Sequence, residues 1–135
     1  MKHIVALLSL VLLMGCSPRT TYLETPTSTP PTRMTAADVK KGILDGCAER
    51  GWTATDIGST EIAAQITVRG KHTVKIKIPY NARQYTIQYA GSENMKYTVN
   101  KKGQQIIHRN YNNWVLNLKK SIDSHLMKNL SQKLT

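Results

Sequence analysis

Ser121, Asp123 and His125 are residue types that together perform nucleophilic hydrolysis, and they lie close to one another in this 135-residue chain. The apolar residues around them recur every three or four positions, which predicts a helix. On a helix, side chains two positions apart point in different directions, so the three cannot form the hydrogen-bonded relay of a serine hydrolase. The cluster therefore does not predict a catalytic triad.

Asp45 and Glu49 are a second group with acid–base potential, because they stand one helical turn apart. Lys41 precedes Asp45 by the same interval, so the set predicts a solvated helix face and not a pair of catalytic carboxylates. The sequence also contains no HExxH, no Cys-x-x-Cys and no glycine-rich phosphate loop. We therefore expect no enzymatic activity, no metal and no cofactor.

Cys47 lies on the apolar stripe of a predicted helix, together with Val39 and Ile43. This position favours a small buried side chain over a reactive nucleophile. His72 and His108 are isolated imidazoles without a nearby pattern of carboxylates. The sequence therefore predicts surface or loop histidines and not metal ligands.

Residues 1–15 contain a basic start and then an apolar run, Ile4 to Met14, that is broken only by Ser9. A run of about 11 apolar residues is too short for a helix that spans a bilayer, which needs roughly 20. It has the length of the central region of a secretory signal peptide. The sequence therefore predicts export from the cytoplasm.

The end of this segment, Leu13-Met14-Gly15-Cys16, resembles the lipobox of bacterial lipoproteins. The resemblance implies that Cys16 becomes the first residue of the mature protein, with diacylglycerol on its sulfur and an acyl chain on its amine. Ser17 follows where lipoproteins retained at the inner membrane often have Asp, which implies the periplasmic face of the outer membrane. An ordinary signal peptide with an incidental cysteine is the alternative.

Residues 16–34 are predicted to be the lipidated cysteine and a tether rich in proline and threonine, because they show no apolar period. If largely extended, this tether would hold a domain on the order of 50 Å from the membrane. A docking peptide is the alternative function of such a composition.

Residues 35–135 are predicted to form a single α+β domain. Thr35 and Asp38 have the spacing of a capping box, which predicts a helix over 36–50, and Asn110 begins a long amphipathic pattern that predicts a closing helix. Between them, two-residue alternation predicts four strands, at 52–57, 61–69, 72–80 and 84–90. Because opposed residues must point to the same face, the expected register places Ile57 opposite Ile62, Val68 opposite His72 and Gln65 opposite Lys75. The expected fold is a four-stranded antiparallel meander covered on one face by an N-terminal and a C-terminal helix. Residues 91–108 leave a second hairpin open.

The segment Ile107 to Trp114 contains the pattern I-H-x-x-Y-N-x-W, which resembles a stretch of small, uncharacterised lipoproteins from Gram-negative bacteria. The resemblance implies a location and a type of domain but no biochemical activity. From its composition the segment is expected to anchor the last helix, with Asn110 as its cap and Tyr111 and Trp114 packed inward. A binding notch is the alternative.

The chain carries 19 Lys and Arg residues against 8 Asp and Glu residues, a formal net charge of +11. A nucleic acid is not an expected partner outside the cytoplasm, so the charge favours either solubility with attraction to an anionic membrane or binding of an acidic envelope component. The candidate binding residues on the polar sheet face and its turns are Arg69, Lys71, Lys75, Lys77 and Arg83.

These observations predict a membrane-tethered periplasmic interaction module for an anionic envelope polymer or an envelope protein. The alternative is a small-molecule-binding domain with a cleft between helices and sheet. The candidate residues of that cleft are Trp52, Tyr85, Tyr89 and Trp114. A void above roughly 300 Å³ between the layers would support this alternative, and a filled core would exclude it.

Overall fold

The computed structural model describes residues 19–135, which form an α+β fold of two helices and antiparallel sheets, as the periodicities predict. The signal peptide and Cys16 lie outside the described residues. In chain order the elements are β1 (Thr20–Tyr22), β2 (Thr27–Ser28), α1 (Ala36–Glu49), β3 (Thr53–Asp56), β4 (Glu61–Val68), β5 (His72–Pro79), β6 (Tyr85–Thr86), β7 (Gln88–Glu93), β8 (Thr98–Val99), β9 (Gln105–His108) and α2 (Asn110–Leu134).

Helix α1 begins with the predicted capping box. The Thr35 hydroxyl accepts the Asp38 backbone N–H at 3.1 Å, and the Asp38 carboxylate accepts the Thr35 N–H at 2.9 Å. The helix ends just before Gly51, whose φ of 81° is the left-handed conformation that stops a helix. Helix α1 is not the N-terminal element of the fold, because β1 and β2 precede it.

The main sheet has the strand order β3-β4-β5-β7 and is a meander in which every pairing is antiparallel. The predicted register of its central hairpin is confirmed, since Val68 lies opposite His72 and Gln65 lies opposite Lys75. The predicted apolar face of these strands is buried or half-buried and shares one core with both helices. The opposite face carries the polar residues, so we call it the outer face.

Two details of this sheet differ from the prediction. Asp56, and not Ile57, lies opposite Ile62, so the first turn begins one residue earlier than expected. The predicted strand 84–90 is divided, because β6 pairs with β2 and only β7 joins the main sheet. Ile87, between the two, donates its N–H to the carbonyl of Pro26 at 2.9 Å, so the N-terminal segment takes the place of β5 as its partner.

The predicted tether is wrong for residues 20–34. Strand β1 pairs with β9, and β2 pairs with β6. Ser28 and Met34 are buried, and the Ser28 hydroxyl donates to Asp123 at 2.7 Å. The folded unit therefore extends back to Thr20. The prediction that the domain starts at residue 35 is wrong, because the segment before it is part of the fold.

Residues 98–108 form the second hairpin that the sequence leaves open. Strands β8 and β9 pair, and β1 completes a separate three-stranded sheet in the order β1-β9-β8. A tight turn follows Asn100, whose side-chain oxygen accepts the backbone N–H groups of Lys102 and Gln104. This sheet places the beginning of the described chain beside the start of α2.

Helix α2 begins at Asn110, but Asn110 is not its cap. Arg109 occupies the capping position and makes no side-chain hydrogen bond there. Instead, Nδ1 of His108 accepts the Asn110 N–H at 3.1 Å. Tyr111 is fully buried as expected, whereas Trp114 is only half-buried. Within residues 19–135, neither helix is both long enough and apolar enough to cross a bilayer.

Candidate functional site

The outer face of the main sheet contains a broad open groove with a volume of about 640 Å³. Its floor is mixed, with polar and apolar atoms in similar proportion, and carries mostly short side chains, since alternate residues of β3, β4 and β5 point to this side. We call it the outer-face groove, and its principal lining residues are Thr53, Thr55, Ala63, Gln65, Lys75 and Lys77.

Among residues 19–135, Lys75 and Lys77 are the only cations in the lining of this groove. They are two positions apart on β5, which places them on the same face about 6.6 Å from each other. Both side chains are exposed, and within residues 19–135 neither has a carboxylate oxygen within 4.0 Å of its ammonium nitrogen. The groove therefore presents two positive charges without an internal counterion.

The aspartates of the described chain are neutralised by other lysines. The four ion pairs join Asp38 to Lys133 at 2.7 Å, Asp45 to Lys41 at 2.9 Å, Asp56 to Lys40 at 2.8 Å and Asp123 to Lys119 at 3.0 Å. The hydrogen bond from Lys133 is the main cause that lowers the pKa of Asp38. Because each of these lysines lies on a helix, the four aspartates are compensated from the helical side. The outer face carries Glu61 and Glu93 as well as Lys75 and Lys77, but none of these four side chains forms an ion pair within residues 19–135.

The structure does not bring the five predicted cations together. Arg69 and Lys71 lie in the turn between β4 and β5, and Arg83 lies in the turn before β6. These two turns are at opposite ends of the eight-residue strand β5, which is about 26 Å long. Only Lys75 and Lys77 line the outer-face groove, so the predicted patch is reduced to this pair.

The predicted aromatic cleft is absent from the described fold. Trp52 is 4% exposed and Tyr85 is 1% exposed, and both belong to the filled core. The Tyr85 hydroxyl reaches Asp123, whereas Trp114 lies nine residues earlier on α2, about 13 Å along the helix axis. These side chains fill separate parts of the core and cannot contact one ligand.

Tyr89 completes an aromatic cluster instead of lining a cleft. Its ring stacks on Tyr97 at a centroid distance of 4.4 Å and meets the edge of Tyr111 at 5.7 Å. Its hydroxyl is hydrogen-bonded to Ser92 at 2.7 Å. The cluster links the main sheet to α2 and explains the burial of Tyr111.

The structure does bring Ser121 and His125 to a carboxylate, but the carboxylate is Glu49 of α1 and not Asp123. Ser121 donates its hydroxyl hydrogen bond to Glu49, and Nε2 of His125 lies 3.5 Å from the same oxygen. The hydrogen bond from Ser121 is the main cause that lowers the pKa of Glu49. Glu49 accepts from the serine and lies between it and the histidine, so His125 is not in place to take the proton of the hydroxyl as it does in a serine hydrolase. Sequence reasoning missed this group because its acid lies on the other helix.

Metal ligands are also not assembled in the described part of the chain. Within residues 19–135 no three side chains of His, Cys, Asp or Glu lie close enough to hold an ion. His72 and His108 line the same small space beside Trp114, whose volume is about 30 Å³. Nδ1 of His72 is hydrogen-bonded to the carbonyl of Asn94, and Nδ1 of His108 accepts the backbone N–H of Asn110 at the start of α2. Each ring is therefore held by the backbone.

Cys47 is fully buried as predicted, and burial raises the pKa of its thiol to about 12. In a protein that carries Cys16→Ser, we expect Cys47 to resist an alkylating reagent for minutes in native buffer and to react at once in denaturant. Mass spectrometry of the labelled protein measures both rates. Ala48 is exposed on the same helix, so a Cys47→Ala, Ala48→Cys variant should label quickly and serves as the control. Equal labelling of the two proteins would contradict the packing role.

No protein-family model, curated protein or solved structure matches the chain. Support for a function therefore comes from the surface chemistry of the described residues.

Proposed function

We propose that this protein is a nonenzymatic interaction module that binds an anionic component of the cell envelope through the outer-face groove. The lipid chains on Cys16 hold it at the periplasmic face of the outer membrane. One observation carries the proposal, namely that Lys75 and Lys77 stand in an open groove without a carboxylate partner among the described residues.

The composition of the groove favours an acidic glycan over a simple inorganic anion. Thr53, Thr55 and Gln65 offer hydroxyl and amide groups, which both donate and accept hydrogen bonds with sugar hydroxyls. Lys75 and Lys77 offer ammonium groups, which are flexible point charges suited to carboxylate or phosphate. An open groove of about 640 Å³ has room for several sugar units and does not require a chain end.

Neutralising the two groove lysines tests this proposal. We expect Lys75→Gln with Lys77→Gln to weaken binding of soluble peptidoglycan fragments or lipopolysaccharide about tenfold, because exposed charge pairs contribute up to about 1 kcal/mol each. Affinity of the unchanged protein should also fall steeply with salt, since screening acts over about 10 Å at 0.1 M. Isothermal titration at several salt concentrations measures both effects.

The matched control removes the same charge elsewhere. Lys120 and Lys128 are exposed on α2 and belong to none of the ion pairs of the described residues, so Lys120→Gln with Lys128→Gln should leave the affinity within twofold. Equal losses in the two double variants would reduce the binding to nonspecific attraction. Complete absence of binding would exclude the glycan and leave an envelope protein as the partner.

The proposed anchor makes a separate prediction. We expect the mature protein to begin at Cys16 with a mass increment for three acyl chains, and we expect Cys16→Ser to remain as uncleaved precursor. Mass spectrometry of the protein purified from membranes measures the increment. An unmodified Cys16, or cleavage at another residue, would contradict the anchor without affecting the groove.

A further inference from the structure

Four exposed cations gather at the end of the fold where the described chain begins. The backbone N–H of Arg109 donates to the carbonyl of Arg19 at 2.9 Å. The side chain of Asn94 donates to the carbonyl of Lys71 at 2.7 Å, and Lys96 follows two residues later. We call Arg19, Lys71, Lys96 and Arg109 the basic end.

Three of the four charges of the basic end, those of Lys96, Arg109 and Arg19, act on the same histidine. His108 lies opposite Thr20 in the pairing of β1 with β9. Burial lowers the pKa of His108, and Lys96, Arg109 and Arg19 lower it further. None of these cations forms an ion pair within residues 19–135. The basic end therefore carries four cations that no carboxylate of the described residues pairs with, and Glu93, which precedes Asn94, is the acidic residue next to it.

The lipid attachment point is covalently close to this surface. Arg19 lies three residues after Cys16. A polypeptide spans at most about 3.5 Å per residue, so the Cα atoms of these two residues lie within about 10 Å of each other on any path. This distance is about one Debye length at 0.1 M salt. A bilayer that holds the anchor therefore lies within electrostatic range of the basic end.

We propose that the basic end docks on the anionic phospholipid headgroups of the membrane that holds the anchor. The inference rests on the lipid anchor of the proposed function but uses a surface distinct from the outer-face groove. Strand β5 starts beside the basic end at His72 and runs toward Pro79, so Lys75 and Lys77 stand about 10 and 16 Å further along the strand. The groove thus remains open to the periplasm while the domain rests on the lipid.

Binding to lipid vesicles without the anchor tests the docking surface by itself. The protein is the chain from residue 16 onward with Cys16→Ser, which keeps every strand pairing and core residue of the described fold. We expect it to sediment with vesicles of phosphatidylcholine and phosphatidylglycerol and not with phosphatidylcholine alone. Each cation near an anionic surface contributes about fivefold, so Lys96→Gln with Arg109→Gln should reduce partitioning about 25-fold.

A second pair, Arg19→Gln with Lys71→Gln, should give a similar loss of partitioning. Because neither of these residues belongs to α2, that loss could not come from a change at the start of the helix, where Arg109 lies. The control pair Lys120→Gln with Lys128→Gln should change partitioning less than twofold, although the net charge falls equally. Neutralising the groove lysines should leave lipid binding intact, which separates a failure of this inference from a failure of the glycan proposal. Equal losses in all pairs, or no binding of the unchanged protein to the anionic vesicles, would overturn the inference.

Discussion

Gly46→Ala is expected to lower the free energy of unfolding by about 1 to 2 kcal/mol, although alanine is the better helix former by about 1 kcal/mol. A Cβ atom at Gly46 would lie 2.6 Å from Cγ1 of Ile122 and 2.9 Å from its backbone N and Cα. Ile122 is fully buried, so its backbone can yield only if α2 moves away from α1. Such overpacking typically costs about 1 to 3 kcal/mol in a well-packed core.

Gly42→Ala is the matched control for this prediction. Its Cβ would overlap Cδ2 and Cγ of Leu126, but the nearest backbone atom is 3.7 Å away. A side chain can turn aside where a backbone cannot, so we expect a loss at least 1 kcal/mol smaller than that of Gly46→Ala. Urea denaturation of both variants measures the difference. Equal stability of Gly46→Ala and the unchanged protein would show that the helices are not in close contact at this point.

The sequence predicts helix α1 but not the surface that it packs against. The apolar stripe through Val39, Ile43 and Cys47 is visible in the spacing. The partner of Gly42 and Gly46 is α2, more than 70 residues away, and not the sheet. Periodicity shows which face of an element is buried, and it contains no information about which element covers that face.

Strand alternation predicts the central register well, because a shift of one residue would turn every apolar side chain of β4 and β5 to the solvent. The same constraint lets the alternation by itself assign Lys75 and Lys77 to the outer face, where they lie. The turn after β3 is less constrained, since Thr53 to Asp56 contains little apolar alternation. The register error there is confined to this weakly patterned strand.

The N-terminal segment shows why composition misleads for short strands. Residues 19–34 are rich in proline and threonine, a composition typical of linkers. Strands β1 and β2 contain three and two residues, which is too short for a period to be seen. Their partners, β9 and β6, lie far along the chain, so local sequence cannot indicate the pairing.

The candidate site was predictable where it depends on strand parity and unpredictable where it depends on helix packing. The aromatic residues Tyr85, Tyr89 and Trp114 were correctly placed between sheet and helices, but their rings fill the space instead of lining it. The contact of Glu49 with Ser121 and His125 joins two helices whose relative position is set by glycine. No spacing within either helix reveals it.

Asp123→Ala is expected to lower the free energy of unfolding by about 3 kcal/mol. One carboxylate oxygen of Asp123 accepts the hydroxyl groups of Ser28 and Tyr85, each at 2.7 Å, and the other oxygen pairs with Lys119. Hydrogen bonds to a charged group are worth about 1.5 to 3 kcal/mol each. The Tyr85 hydroxyl keeps a weaker acceptor, the carbonyl of Lys119 at 3.3 Å, so the loss is smaller than the sum of the two bonds.

Removing the Ser28 donor together with the Asp123 acceptor separates the contribution of their hydrogen bond from the contribution of the packing of α2. In the Asp123→Ala background, adding Ser28→Ala should change the stability little, because the serine hydroxyl has already lost its partner. In the unchanged protein, Ser28→Ala alone should cost about 1.5 kcal/mol or more. Urea denaturation of the single and double variants gives the coupling energy, and strictly additive losses would contradict a bond between these side chains. A large coupling energy would also verify in solution that the segment before α1 is part of the folded domain, because Ser28 lies within the segment whose composition predicts a tether.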